Sequence, residues 1–148
     1  MRGRNTGCAS RIRPPVHGSP RNPIEEYILR ERTARDCADH FDAPYCLHGH
    51  THSPQLFRLH EEASQRTCES CIPSAPEWFP LGRDRLLINP GSVGQPRDGS
   101  PHAGFATLDT HTGILGFHRC PYDVGRTQER MRRERLPQRL IKRLASGT

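Results

Sequence analysis

The sequence predicts an α+β fold, mainly antiparallel strands with flanking helices, on three observations. Apolar runs of strand length, set between turn-forming residues, recur through residues 44–119. A stretch with helical spacing, residues 24–41, precedes them, and a strongly charged, helix-compatible stretch, residues 126–144, follows.

Taken in order, residues 1–16 are basic, carry Pro14 and Pro15 and show no apolar period, which predicts a disordered lead-in before one domain over residues 17–148. Pro23 suits a first helical turn, Glu25 and Glu26 complement a helix N-terminus, and Ile24, Tyr27, Ile28, Ala34 and Ala38 approximate one face. A helix is therefore expected from Ile24 to Phe41. Pro44-Tyr45-Cys46-Leu47 reads as a short strand and Gln55-Leu56-Phe57-Arg58-Leu59 as a half-buried one, so the two are expected to flank the histidines between them as a hairpin-like pair. His60 to Pro76 is polar and turn-rich and reads as a long surface loop. Arg85 to Ile88 and Gly104 to Leu108 are strands on either side of a glycine-rich turn, and Ile114 to Arg119 pairs with the latter across Asp109 to Gly113. From Arg126 to Leu144 a helix is expected, interrupted at Pro137.

A chain of 148 residues accommodates one modest domain. Only 32% of it is hydrophobic, and 13 glycines and 14 prolines leave a self-sufficient core marginal. The balance of 22 Lys and Arg against 16 Asp and Glu gives +6, but every cation except Lys142 is an arginine and they are spread along the chain. That skew reads as coding bias, and a nucleic-acid surface is not expected. The C-terminal arginines (Arg130, Arg132, Arg133, Arg135, Arg139, Arg143) likewise read first as a solvated helix face. No apolar leader or membrane-length apolar stretch is present, so a reduced cytoplasmic protein without membrane attachment is expected. Cys68-Glu69-Ser70-Cys71 is half of a structural zinc site or simply two thiols; without a second pair nearby, the thiols are favoured.

The densest chemical signal is Leu47-His48-Gly49-His50-Thr51-His52. In extended geometry residues i and i+2 share a side, so His50 and His52 would face one ligand cluster, and neutral imidazole binds many divalent metals. A chance cluster is the alternative, in a chain with 9 histidines. Two further segments bear on it. Val16-His17-Gly18-Ser19-Pro20-Arg21 puts a second His-Gly ahead of the first helix, and Asn89-Pro90-Gly91-Ser92-Val93-Gly94-Gln95-Pro96-Arg97-Asp98-Gly99 follows an apolar strand. In that loop Asn89, Gly91 and Ser92 either admit a phosphate, with Arg97 as its clamp, or brace the histidine turn; the brace is favoured because no P-loop spacing accompanies it.

These three segments, in this order, with Glu26-Tyr27 after the first and Tyr122-Asp123-Val124 near the end, resemble the downstream motifs of calcineurin-like metallophosphoesterases. The likeness is to the compact bacterial and archaeal branch described as resembling diadenosine tetraphosphatases and Ser/Thr phosphatases, and it covers the C-terminal half of that domain. It implies a sandwich of two β-sheets flanked by helices, two divalent metals (Mn, Fe, Zn or Mg) and phosphate mono- or diesters as substrates. It also implies that His17 and His50 bind one metal and His52 the other. His48 has no ligand role in the motif, and reads as a polar strand-end residue or a hydrogen-bond partner.

The resemblance further implies upstream Asp-x-His, Gly-Asp and Gly-Asn-His-Asp motifs, including the histidine that protonates the leaving group, and none of them is expected anywhere in this chain. Asp36, Asp39 and Asp42 come after His17, in the wrong order to replace them. The expectation is a truncated phosphoesterase with no general acid, little or no turnover and weak metal binding, or else a non-enzymatic module that completes a partner chain. Exposed sheet edges would favour self-association.

Overall fold

The computed structural model describes residues 12–62 and 65–148. Among these residues eight strands form two sheets, and the larger one has helix on one face and the smaller sheet on the other. The strands of the larger sheet are β1 (Ile12–Arg13), β2 (Tyr45–Leu47), β3 (Pro54–Glu62), β4 (Gln65–Cys71) and β6 (Arg85–Pro90), in the order β1-β2-β6-β3-β4. β1, β2 and β6 run parallel, whereas β3 is antiparallel to both β6 and β4. The smaller sheet is antiparallel, order β5-β8-β7, from β5 (Glu77–Pro80), β7 (Ala103–Asp109) and β8 (Ile114–Cys120).

Side-chain alternation divides the core. Cys46, Phe57, Leu59 and Leu87 face α1 (Glu31–Asp36) and the 3₁₀ turn Cys37–His40, packing with Ile28, Ala34, Cys37, Ala38 and Phe41. Tyr45, Leu56, Leu86 and Ile88 face the smaller sheet and meet Leu115 and Phe117. Central strand β6 is thus covered on both faces, which is why Leu86-Leu87-Ile88 reads as a continuous apolar run.

The expected strands near residues 44–47, 85–88, 104–108 and 114–119 are all present, and the last two pair across the Asp109–Gly113 turn. The hairpin-like pairing of the strands around the histidines is not: β6 lies between β2 and β3. Because β2 and β6 are parallel, their C-terminal ends share one edge, and the chain from Leu47 to Pro54 crosses over the end of β6. The segment expected as a loop from His60 instead contains β4, an edge strand whose polar sequence hid it. Its Arg66 and Ser70 bond Asp39 and Glu31 of the helical layer, so polar partners replace an apolar face.

The first helix is also much shorter than expected. The Asn22 side chain accepts from the Ile24 and Glu25 amides and closes a turn there, after which residues 26–29 are not helical. Ile12–Arg13, inside the expected lead-in, forms β1 beside Tyr45 and Cys46; residues 1–11 of that lead-in lie outside the described residues. The C-terminal stretch is two helices, α2 (Val124–Arg133) and α3 (Gln138–Ser146), parted at Pro137. Asp123 caps α2 by accepting from the Arg126 amide, Glu129 pairs with Arg132 and Arg133, and no α2 residue is buried. Only Ile141 and Leu144 of α3 reach the interior.

Candidate functional site

Residues 48–53, carrying the histidine run, arch over the C-terminal end of β6. The backbone here is not the extended one expected. His50 and His52 have φ of 68° and 61°, two of only three non-glycine residues with positive φ among the described residues. Holding a non-glycine side chain in this left-handed region costs about 1–3 kcal/mol each, and such residues gather where the surroundings dictate the backbone for a functional purpose.

Asn89, at the end of β6 and fully buried, supplies that constraint. Its amide nitrogen donates to Gly49 O at 3.0 Å and Thr51 Oγ1 at 2.8 Å, and its Oδ1 accepts from the Gly91 amide at 3.0 Å. Thr51, buried between the two histidines, thereby anchors the crest of the arch. Gly91 has φ of 91° against the Pro54 ring, which continues the brace. Ser92 accepts from the Gln95 amide through Oγ and from the Gly104 amide through its carbonyl.

The rest of that loop wraps His52. Its Nδ1 lies 2.7 Å from Gln95 O, and its carbonyl accepts from the Arg97 amide at 3.1 Å. A carbonyl only accepts, so Nδ1 carries a proton in this contact. Arg97 donates to Gln95 Oε1 at 3.2 Å, and its charge reaches His50.

His17 is joined to the same arch by backbone bonds that prolong the β1–β2 pairing: the Val16 amide donates to Leu47 O and the Gly49 amide to His17 O, both at 3.1 Å. The His17 and His50 rings meet edge to face, centroids 4.5 Å apart at 65°. Tyr27 stacks on His50, centroids 3.8 Å apart and planes 25° apart. Partial burial, then the neighbouring His17, push the His50 imidazole below its ordinary pKa and favour the neutral form that binds metals.

His17 and His50 are therefore brought into ring contact, and His52 is oriented separately by Gln95. The set is incomplete as a cation cage: among the described residues, no three His, Cys, Asp or Glu side chains converge to hold a metal ion. His48 is buried beside Phe57, and neither ring nitrogen has a hydrogen-bond partner among the described residues. Burial pushes its pKa down to about 4, opposed only in part by the Gly49 backbone. It is thus a neutral core residue beside Phe57.

Sequence reading overlooked two features. Asp109-Thr110-His111 matches Asp-x-His literally, but Asp109 Oδ1 accepts from the His111 and Thr112 amides and closes the β7–β8 turn. Tyr27 was counted on a helix face, whereas it packs on His50; its only sequence signal is its place after Glu26 in the resemblance. Cys68 and Cys71 lie three apart on β4 and so project to opposite faces, Cys68 against the helical layer and Cys71 exposed, which does not suit one zinc ion.

A fold of two stacked sheets, with histidines held over the end of a central parallel strand, defines a class. The chain belongs to the calcineurin-like phosphoesterase superfamily, whose domain matches residues 16–113. It is 34% identical over 133 residues to an uncharacterised protein of Methanocaldococcus jannaschii, covering 88% of this chain and 50% of that one. The crystal structure of a metallophosphoesterase from Sphaerobacter thermophilus is similar at TM-score 0.82 and 42% identity, covering 90% of this chain and 55% of the other. A hypothetical protein of Pyrococcus horikoshii shares the fold at TM-score 0.57 and 23% identity, with 90% and 46% covered. The chain thus spans about half the length of the relatives it matches. Among the described residues, no helix is long and apolar enough to cross a membrane.

Proposed function

We propose that this chain supplies the histidine side of a two-metal phosphoesterase centre, His17 and His50 toward one divalent cation and His52 toward the other. The substrates are phosphate mono- or diesters, and the 148 residues alone turn them over slowly or not at all. The observation that carries this reading is the left-handed backbone at both His50 and His52, braced by Asn89 beside the His17–His50 contact. When bound, a pair of divalent cations (Mn, Fe, Zn or Mg) activates a water and neutralises charge on the phosphoryl oxygens.

The chain's own residues orient the donors. Gln95 fixes the His52 tautomer, and Arg97, near His50, offers a guanidinium to a phosphoryl oxygen. Neutral imidazoles bring no negative charge to offset two dications, and no carboxylate completes the set among the described residues. Weak metal retention and weak turnover follow.

The purified chain with Mn²⁺ is expected to leave p-nitrophenyl phosphate and its bis ester near the background rate. Substantial hydrolysis, abolished by His50→Ala, would overturn the claim of inactivity. Adding a separately expressed polypeptide that carries Asp-x-His and Gly-Asn-His-Asp motifs is expected to raise the rate. A second reading, a non-enzymatic module that completes a partner chain, draws on the exposed apolar residues Ile24 (72%), Leu29 (61%) and Trp78 (60%). Its mark is co-purification with such a partner without hydrolysis.

A further inference from the structure

We propose that Tyr27 is a positioning residue of the histidine centre: its ring, stacked on His50, holds that imidazole ready for a cation, and a clamp on Glu26 fixes Tyr27. The inference rests on the reading of His50 as a metal ligand.

Three consecutive residues after the Asn22 turn have three different attachments. The Glu26 carboxylate accepts from the Ser19 hydroxyl and from the Arg21 guanidinium, and the Cys37 thiol lies 3.7 Å from it at the end of α1. Ser19 is fully buried, and its oxygen also accepts from the Arg21 and Asn22 amides at 3.1 and 2.9 Å. Gly18 is required in this turn, because a Cβ there would stand 2.6 Å from Asn22 O. Ile28 is fully buried in the core beneath the helical layer. Tyr27 lies between these two anchors, and its ring is left to cover His50 at 3.8 Å while remaining 44% exposed.

The His50 backbone lies in the left-handed region on an arch that Asn89 braces through Gly49 and Thr51, and its imidazole has a hydrogen-bonding neighbour in the Glu25 backbone, two residues before Tyr27. A free imidazole would have to be ordered when a cation binds, and that ordering weakens affinity. Face contact with the Tyr27 ring and the steeply inclined His17 ring beside it remove much of that freedom beforehand.

The test uses the full 148-residue chain with Tyr27→Phe, which keeps the ring, and Tyr27→Leu, which removes the flat face. In the metal-free chain, ¹H–¹³C spectra of labelled histidine report the ring-current shift of His50. The shift is expected in the parent and in Tyr27→Phe, and is lost in Tyr27→Leu at an unchanged melting temperature. In Mn²⁺ titrations Tyr27→Phe is expected within about twofold of the parent, and Tyr27→Leu about 10-fold weaker. Retention of both the shift and the affinity in Tyr27→Leu would overturn the proposal. If His50→Ala leaves Mn²⁺ affinity unchanged, the ligand reading fails, while the metal-free spectra still decide whether Tyr27 holds the ring.

Discussion

Two places in this molecule bring together residue types that can ligate metals, and the chain treats them in opposite ways. At His50 and His52 the backbone is forced into the left-handed region, a buried asparagine braces it, and two of three imidazoles are in ring contact. At Cys68 and Cys71 the backbone is ordinary strand, and the pleat sends the two thiols to opposite faces. Ligand types at close spacing thus say little; what separates the two is whether distant parts of the chain hold an uncomfortable geometry in place.

The sharpest way to break that contrast is to remove the brace. Asn89→Leu would leave the Gly91 amide without its acceptor and take one donor each from the Gly49 carbonyl, which keeps the Thr51 amide, and from Thr51 Oγ1, and a loss of about 2–3 kcal/mol is expected in urea unfolding. A loss below about 1 kcal/mol would mean that the arch holds itself.

A smaller effect is expected at the second support, Glu26→Gln. The Arg21 hydrogen bond foremost, with Ser19 and Cys37, holds the Glu26 carboxyl below its ordinary value of 4.5. The folded chain therefore binds fewer protons than the unfolded one in acid. The clamp's contribution is complete above about pH 4.5 and is lost as pH falls through the lowered folded value. With the carboxylate side chain 20% exposed, solvent screening leaves about 1–2 kcal/mol at pH 7. The gap between parent and Glu26→Gln should close on acidification, and a gap that widens would contradict the assignment.

The least effect is expected at the thiols. Cys71→Ser should change stability by less than about 0.5 kcal/mol and leave zinc content unaltered, while Cys68→Ala should cost about 1 kcal/mol of packing. A coordinated loss of zinc in both variants would restore the structural-zinc alternative.

The legible part of the fold was the part whose residues carry a local signature. Leu86-Leu87-Ile88 is apolar throughout because β6 is buried on both faces, and the β7–β8 pair is marked by Asp109 to Gly113. β4 was hidden because its inward residues Arg66 and Ser70 meet acidic partners, so it lacks the alternation of a half-buried strand. The helix expected from Ile24 was misread for a related reason. The apolar spacing of Tyr27 and Ile28 is produced by an imidazole on one side and a core on the other, not by one helix face.

The sequence by itself singled out the imidazoles of the candidate site and put His50 and His52 directly after a strand, because residue type and order are local facts. Tertiary structure alone decided how His50 and His52 are aimed, that Asn89 braces them, and that Tyr27 covers one of them. Those outcomes come from hydrogen bonds that join residues 38 to 43 positions apart and from parallel strands whose ends coincide. A pattern of neighbours carries no record of such pairings, since their geometry exists only once β2, β6 and β3 have come together.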